Sequence, residues 1–444
     1  MSVSASISRV QSTALAAQYR LRWGHLGLLA LSAGAVVIGA LAWGWQIQHG
    51  MLGTGLQRPG AWGLYITDFV FWVGIAHSGT LISAILFLFR ARFRTAVYRV
   101  AEAMTVFGVM TAGLFPVIHL GRPWLFYWLF PYPNQRQLWV NFRSPLMWDV
   151  FAVSTYFLIS ATFFWVGMVP DAAALRDVTT GWRHRLYSIF SVGWRGTGEE
   201  WRHYTRSYFF FAALATPLVV SVHSVVSWDF AVSVVPGWHS TLFPAYFVAG
   251  AIFSGVAMVV TLLIPLRKAL HLEEVITPHH LDMLSRVVLL TSLIVTYSYA
   301  TEFALALHGP ASPERATFVY RATGPYAPFF WLMVTCNCVL PSLLFFRRIR
   351  YSTKALLPIM LGVNVGMWLE RFIIIVTSLS HDHLPFSWRL YIPRPVEWAI
   401  TLGAFGWFFF WFLLFVKFLP AISIAELKEE TAHEAIHEEG ADAT

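Results

Sequence analysis

Four ionisable side chains of this sequence lie toward one side of consecutive apolar runs. Asp68 lies four or five residues into the second run, His119 closes the third, Asp149 opens the fourth and Asp229 closes the fifth. Ionisable groups inside a membrane are costly and mark candidate functional sites. Because His and Asp can hydrogen bond and accept protons, the four would suit oxidation or reduction of a lipid-soluble quinone. The two oxygens of a quinone ring need a hydrogen-bonding partner and a proton acceptor.

Helix capping is a simpler interpretation of these acids. Asp68 follows Thr67 near the start of an apolar run, and Asp149 lies in the first turn after Pro145. A carboxylate in the first turn of a helix interacts favourably with the helix dipole. Each residue alone could be such a cap, whereas four in one bundle favour a shared pocket.

Further ionisable residues lie deeper in the apolar runs, where they could form a proton path. They are His77 in GIAHSGT, Glu302, and Glu370 with its neighbour Arg371 in GVNVGMWLERF, together with Glu102 and His223. The alternative is a role in packing, in which Glu370 pairs with Arg371 and His77 makes an interhelical hydrogen bond.

The elements that must position these residues are membrane helices. Of the 444 residues, 57% are hydrophobic, 17% aromatic and 12% charged, and the mean hydropathy is +0.59. Soluble globular proteins carry about 25% charged residues, so a soluble enzyme is excluded. A spanning helix needs about 20 apolar residues. Ten such runs predict an all-α integral membrane protein with ten transmembrane helices, at 25–45, 64–89, 100–118, 146–168, 208–228, 242–265, 287–307, 326–346, 355–378 and 396–419.

The distribution of basic residues predicts the orientation. With the N-terminus in the cytoplasm, the segments on that side carry 22 Lys and Arg, the opposite loops carry 8, and Arg371 lies within a span, which accounts for all 31. Cytoplasmic loops are enriched in Lys and Arg, so both termini are predicted to be cytoplasmic. The net charge of +8 is attributed to this topology and not to nucleic-acid binding.

Three segments are predicted along the chain. They are a cytoplasmic N-terminal segment (1–24), a ten-helix membrane domain (25–419) and an acidic cytoplasmic tail (420–444). The tail from Glu426 to Asp442 lacks apolar periodicity, so we expect it to be solvated or to contact a partner.

The sequence argues against an intrinsic redox centre. Two cysteines cannot supply a Cys-ligated iron–sulfur cluster or a structural zinc site, and Cys336-Asn337-Cys338 favours packing within an apolar run. No run carries two histidines at a separation that spans the bilayer, as paired haem ligands would. We therefore predict no intrinsic haem or iron–sulfur cluster.

Several longer blocks of the sequence are distinctive: GIAHSGTLISAILFLFR (74–90), HLGRPW (119–124), GWRGTGEEWRHY (193–204), HSVVSWDFA (223–231), GWHSTLFPAYFVAGAIFSG (237–255) and NVGMWLERF (364–372). They resemble the NrfD/polysulfide-reductase family of membrane subunits, and within it the larger, quinol-binding membrane subunit of bacterial alternative complex III. The resemblance covers about residues 25–419. It implies two four-helix bundles, made of spans 2–5 and spans 6–9, with spans 1 and 10 at their flanks.

The resemblance also implies that menaquinol or a related quinol is oxidised near the periplasmic ends of spans 2–5. His119, Asp149 and Asp229 correspond to the catalytic and quinol-binding residues. We add Asp68 and Arg394 to the quinol site from their positions alone.

A proton path and a set of partners follow from the same resemblance. His77, Glu302 and Glu370 correspond most nearly to the family's proton-conducting residues. The expected partners are an iron–sulfur subunit that takes the electrons, multihaem cytochrome c subunits, a sister NrfD-like membrane subunit and lipids. The iron–sulfur clusters and haem c would belong to those partners, and the location would be the bacterial inner membrane.

Two other functions compete with quinol oxidation. A transporter or proton channel would place broken helices around a site at the membrane midplane. A structural anchor would hold redox subunits while a sister subunit binds the quinol.

Overall fold

The fold consists of ten long apolar helices. The computed structural model describes residues 23–57, 60–88, 94, 96–130, 142 and 144–428, and all regular structure in these residues is helical. Ten helices are long and apolar enough to cross a membrane, which confirms the predicted integral membrane fold. They are α1 (Trp23–His49), α2 (Gly63–Leu88), α3 (Tyr98–His119), α4 (Pro145–Val178), α5 (Gly198–Ala231), α6 (Phe243–Ala269), α7 (Pro278–His308), α8 (Ala327–Phe345), α9 (Thr353–Ser380) and α10 (Pro395–Phe418).

The helices pack as two rings of four. In the first ring α2 contacts α3, α3 contacts α4, α4 contacts α5 and α5 contacts α2. The second ring joins α6, α7, α8 and α9 in the same way, and α6 also packs against α2 and α5. The central helices α2 and α6 are therefore apolar and buried on nearly all sides, as expected for a helix surrounded by other helices.

The two ends of the molecule are named here by their residues. At the His119 end, α3 and α5 end while α2, α4 and α6 begin; at the Arg99 end, α3 begins and α4 ends. A shorter helix, Ser312–Thr323, joins α7 to α8 at the His119 end, and Gly181–Phe190 joins α4 to α5 at the Arg99 end. Because α4 and α5 each have 34 residues, they extend well beyond their predicted spans at the Arg99 end.

Helices α1 and α10 approach each other through glycines. A Cβ atom added at Gly39 would lie 2.6 Å from the Cα atom of Gly403, and one at Gly406 would lie 2.6 Å from the Cβ atom of Ala35. Small residues permit this close backbone approach, and dispersion contacts between helices drive association in membranes.

We expect Gly39→Ala to lower the thermal stability of the protein. The added methyl group would meet the backbone of Gly403, and overpacking of this kind costs about 1–3 kcal/mol, more than the gain of about 1 kcal/mol in helix propensity. Gly44→Ala on the same helix is the matched control, because no atom lies within 4 Å of its added Cβ. Thermal melting in detergent would measure both variants, and equal melting temperatures would contradict a tight α1–α10 contact.

Two π-helical segments interrupt the second ring, one in α8 at Thr335–Val339 and one in α9 at Ile373–Thr377. Such segments widen a helix by one residue and often occur at functional sites. The first contains Asn337, and the second begins two residues after Arg371, so both lie beside the polar interior described below.

Candidate functional site

Asp149 and Asp229 face each other at the His119 end. Asp149 is 6% exposed, and neither of its carboxylate oxygens has a hydrogen-bond partner among the described residues; the same holds for Oδ1 of Asp229. The two carboxyl groups lie close enough to hydrogen bond to each other when they share a proton. The adjacent side chains Trp148 and Trp228 also meet, with ring centroids 5.7 Å apart at 82°.

The local sequence explains why these two aspartates meet. Helix α4 begins at Pro145, a residue suited to the first turn because its missing N–H would be unpaired there anyway. Asp149 follows one turn later, whereas Asp229 lies two residues before the end of α5 at Ala231. Since α4 and α5 are adjacent and antiparallel, the start of one helix meets the end of the other.

His119 ends α3 on the same side of the molecule. Its Nδ1 atom is buried without a hydrogen-bond partner among the described residues, and its ring meets Tyr65 edge-on, with centroids 6.5 Å apart. Tyr65 donates a hydrogen bond to the amide oxygen of Gln46, whose Nε2 donates to the carbonyl of Ile118 at 3.2 Å. Sequence analysis did not identify Tyr65 and Gln46, because the candidates were charged or titratable side chains and both of these side chains are neutral near pH 7. Residues 131–141 and 143, which lie between His119 and Asp149 in the chain, are outside the described part.

Asp68 and Arg394 do not join the contacts around Asp149 that the structure describes. Asp68 is buried and accepts hydrogen bonds from Trp368 Nε1 (2.8 Å) and Thr401 Oγ1 (2.6 Å), so its carboxylate faces α9 and α10. Helix α2 is surrounded by other helices, so Asp68, its sixth residue, could face any of them. Arg394 is exposed, and its backbone N–H donates to Glu397 at 2.8 Å.

Glu397 is a polar centre of the His119 end that sequence reasoning missed. It is fully buried and accepts hydrogen bonds from the backbone N–H of Gly55 (2.6 Å) and from the hydroxyl of Tyr391, which in turn accepts from the N–H of Leu64 at 2.9 Å. Burial, with the nearby Glu397 carboxylate adding to it, raises the pKa of Tyr391 above its ordinary value. Tyr391 therefore stays protonated as a donor, and the contacts fix the loop before α2 to the start of α10.

His77 begins a polar interior that connects the two rings. It is 1% exposed, its Nδ1 lies 2.6 Å from the carbonyl of Val73, and its ring stacks on Tyr156 with centroids 4.5 Å apart. The ring of His223 lies 4.7 Å from that of His77, and both of its nitrogens are buried without a hydrogen-bond partner among the described residues.

The polar interior continues into the second ring through Arg371. A Cβ atom added at Gly74 would lie 3.9 Å from both Arg371 Nη2 and His223 Cε1, so these groups converge beside α2. Arg371 forms a buried ion pair with Glu370, which accepts a hydrogen bond from the hydroxyl of Tyr299. Asn337 donates to that hydroxyl at 2.9 Å. Polar side chains thus run from α2 and α5 across α9 to α7 and α8.

A separate cluster of buried charges lies at the Arg99 end. Arg99 is fully buried, and its Nη2 donates to Asp171 Oδ2 at 2.7 Å and to the carbonyl of Gly167 at 2.8 Å. Its Nη1 lies 3.5 Å from Glu102, which accepts from Ser83 at 2.6 Å and from the hydroxyl of Tyr208 at 2.7 Å. Because the predicted third span begins at residue 100, Arg99 is one of the 22 Lys and Arg residues counted as cytoplasmic.

The chain after α10 closes this Arg99 cluster. The backbone N–H groups of Ile424 and Ala425 each donate to Asp171 Oδ1 at 3.0 Å, and Glu426 pairs with Arg94. Burial raises the pKa of Glu426, and the neighbouring Arg94 acts against this rise. The expected solvated tail therefore does not begin at Glu426, because Asp171 and Arg94 offer buried partners; residues 429–444 lie outside the described part.

Among the described residues, no three His, Cys, Asp or Glu side chains are grouped as ligands for a metal ion. Several of their carboxylates and imidazoles lie instead in smaller groups, which are the Asp149–Asp229 pair, the His77–His223 pair and the Arg99 cluster.

A family described as "Polysulphide reductase, NrfD" matches residues 54–381. This range contains Asp149, Asp229, His119 and the whole polar interior.

Three curated proteins are similar to this chain. A putative membrane subunit of dimethyl sulfoxide reductase from Halobacterium salinarum is 32% identical over 236 residues, which cover 53% of this chain and about half (49%) of that protein. A subunit of selenate reductase from Mesobacillus selenatarsenatis is 23% identical over 90% of this chain and 94% of its own length. An Hdr-like menaquinol oxidoreductase integral membrane subunit of Archaeoglobus fulgidus is 21% identical over 91% of this chain and 96% of its own length.

Proposed function

Because this chain belongs to the NrfD polysulphide reductase family, we propose that it is the quinol-binding membrane subunit of a redox complex. The observation that carries the proposed site is the Asp149–Asp229 pair, in which both oxygens of Asp149 and Oδ1 of Asp229 are buried and lack a described hydrogen-bond partner. A buried carboxylate without a partner is costly. A substrate that brings hydroxyl groups to the pair offsets that cost.

The proposed chemistry is two-electron oxidation of a quinol, which releases two protons and two electrons as the ring becomes a quinone. His119 Nδ1 hydrogen bonds one quinol oxygen, and Asp149 accepts a proton from a hydroxyl group. Asp229 receives or relays a proton beside Asp149. A partner subunit with iron–sulfur clusters would accept the two electrons.

The names of the relatives support electron flow from a quinol in the membrane to a partner subunit. One relative is named as a menaquinol oxidoreductase subunit, and two as subunits of reductases for dimethyl sulfoxide and selenate. Reduction of a soluble acceptor requires an electron donor on the membrane side, and a quinol is the lipid-soluble donor. For this chain we propose menaquinol as the substrate.

We also propose that the polar interior conducts protons. It runs from His77 and His223 through Arg371 to Glu370, and intramembrane ionisable chains of this kind are typical of proton relays. Glu302 on α7 would be a further proton-carrying residue of this path, because its buried Oε1 has no described hydrogen-bond partner. The path would couple quinol oxidation to charge movement across the membrane.

The complete assembly we propose is alternative complex III in a bacterial inner membrane. The His119 end would face the periplasm and both termini the cytoplasm, since the predicted cytoplasmic segments hold 22 of the 31 Lys and Arg residues. An iron–sulfur subunit would dock at the His119 end, where its clusters can approach the quinol. Multihaem cytochrome c subunits and a sister NrfD-like subunit would complete the complex.

Photoaffinity labelling would test the quinol site directly. An azido-menaquinone analogue, irradiated with the intact complex purified through this chain, should label peptides around residues 119–149, and excess menaquinone should compete with it. Replacing His119 with Ala should weaken labelling about fivefold or more, since a hydrogen bond to the ring is worth about 1 kcal/mol or more.

His308→Ala is the matched control, because His308 lies at the same end but is exposed and binds the carbonyl of Ala304. Labelling confined to another subunit would favour the structural anchor. Movement of a substrate across liposomes without redox partners would favour a transporter.

A further inference from the structure

A cavity lies at the His119 end, between the two rings. It has a volume of about 580 Å³ and is bounded by the end of α5, the loop before α6, the end of α7 and the helix Ser312–Thr323. Trp228, Leu305, Ala306 and Phe318 give it a mainly apolar lining. Binding sites for small molecules commonly have volumes of about 300–1,000 Å³ and apolar walls with a few polar groups.

Glu302 supplies a buried acceptor to this cavity, whose other polar lining residues are His239, Ser240, Thr241 and Glu314. Its side chain lines the cavity, the residue is 7% exposed, and Oε1 is buried without a hydrogen-bond partner among the described residues. Removing a carboxylate from water without compensation is unfavourable. The cavity therefore combines an apolar space with one strong, unused hydrogen-bond acceptor.

Hydrogen bonds hold the opposite wall in place. Gly237 has a φ of +81°; its N–H donates to Glu314 Oε2 at 2.7 Å, and its carbonyl accepts from Arg321 at 2.9 Å. Arg321 also donates to Ser378 at 2.8 Å, which ties this loop to α9. A Cβ atom at residue 237 would lie 2.7 Å from the Arg321 guanidinium, so glycine permits this close arrangement. The cavity is thus part of the ordered packing between the rings.

We propose that this cavity is a second binding site, which holds an amphiphile with an apolar body and a headgroup that donates a hydrogen bond to Glu302. The hydroxyl of a quinol and the ammonium of an amine phospholipid share this donor chemistry. The inference does not depend on quinol oxidation at the Asp149–Asp229 pair.

The test compares Ala306→Phe with Ala304→Phe in the assembled complex. Ala306 lines the cavity and is 7% exposed, so phenylalanine there would fill it, whereas Ala304 is exposed on the same helix and does not line it. Two probes are used on each complex: photolabelling with the azido-menaquinone analogue, and mass spectrometry of phosphatidylethanolamine that stays bound after detergent exchange.

Wild type and Ala304→Phe should each retain one of the two probes at the cavity. A bound quinone would appear as label in peptides 237–244 or 302–318, and a bound phospholipid would appear in the mass spectrum. Ala306→Phe should lower that occupancy about tenfold or more, and Glu302→Leu, which keeps an apolar filling but removes the acceptor, should do the same. Label identifies a quinol as the occupant, and bound lipid identifies a phospholipid.

The proposal is overturned if wild type retains neither probe there, or if Ala304→Phe and Ala306→Phe reduce occupancy equally. If the Ala306→Phe complex does not assemble, the occupancy of the cavity in the Glu302→Leu complex tests the proposal alone. Cavity occupancy should persist in Asp149→Asn, which separates failure of this site from failure of the quinol-oxidation site.

Discussion

Asp149→Asn should reduce quinol-dependent electron transfer by about 10²-fold or more, the usual contribution of a positioned general base. Asparagine keeps the size and one hydrogen-bond acceptor of aspartate but cannot take up a proton. The measurement is menaquinol-dependent haem reduction in the purified complex, once the variant and wild type are known to contain the same subunits in equal amounts. Asp229→Asn should also lower the rate, because a proton on one carboxyl group of the pair depends on the charge of the other.

The stability of the Asp149→Asn variant should be unchanged or higher. The wild-type carboxylate has no described hydrogen-bond donor and faces a second carboxylate, so removing its charge relieves desolvation and repulsion. A residue that serves packing would show the opposite result, with lost stability and retained activity. Loss of activity without loss of stability therefore distinguishes a proton acceptor from a structural residue.

Asp177→Asn provides the matched control. Asp177 lies at the opposite end of the same helix, its side chain is 64% exposed, and it pairs with Arg176 at 2.9 Å. Exposed ion pairs contribute about 0–1 kcal/mol, so this variant should keep both rate and stability. Equal rates for Asp149→Asn and wild type would remove Asp149 from the mechanism.

The spans could be predicted from sequence because hydropathy is a local property. The third run, predicted at 100–118, forms a helix over Tyr98–His119. The meeting of Asp149 with Asp229 also follows from local information, since both lie at ends of adjacent antiparallel helices. Position along the helices thus predicted that these two residues lie at the same end of the molecule.

The facing direction of a residue on a buried helix could not be predicted. Asp68 lies on α2, which is apolar on all sides, so no amphipathic pattern indicates that its carboxylate faces Trp368 and Thr401. Glu397 was missed because it resembles an ordinary acidic residue in the first turn of a helix. Its hydrogen bonds to Gly55 and Tyr391 arise only when distant parts of the chain meet.

The Arg99 cluster shows most clearly that tertiary contacts can bury charged residues that the sequence predicts to lie at a cytoplasmic flank. A basic residue next to an apolar run predicts a cytoplasmic flank, yet Arg99 is fully buried between Glu102 and Asp171. The acidic stretch that begins at Glu426 predicts a segment that is solvated or contacts a partner, whereas Glu426 itself pairs with Arg94 of this chain. A single-sequence pattern cannot show that these segments neutralise each other.

Arg99→Met should destabilise the protein by about 3–5 kcal/mol, the usual cost of removing one partner from a buried ion pair. Methionine fills similar space but leaves the carboxylates of Glu102 and Asp171 without the guanidinium. Thermal melting of the detergent-solubilised complex would measure the loss. Arg202→Met is the matched control, because the Arg202 side chain is 59% exposed and lies 3.9 Å from Glu199; surface changes usually stay within about 0.5 kcal/mol.

A compensated variant separates charge from packing at the Arg99 cluster. Adding Glu102→Gln and Asp171→Asn to Arg99→Met removes the uncompensated charges, so most of the lost stability should return. Asparagine at position 171 can still accept from the N–H groups of Ile424 and Ala425, which keeps the chain after α10 in place. If the triple variant is no more stable than Arg99→Met, the guanidinium acts mainly through its packing and its hydrogen bond to Gly167. If Arg99→Met melts like Arg202→Met, the buried charges do not hold this end of the bundle together.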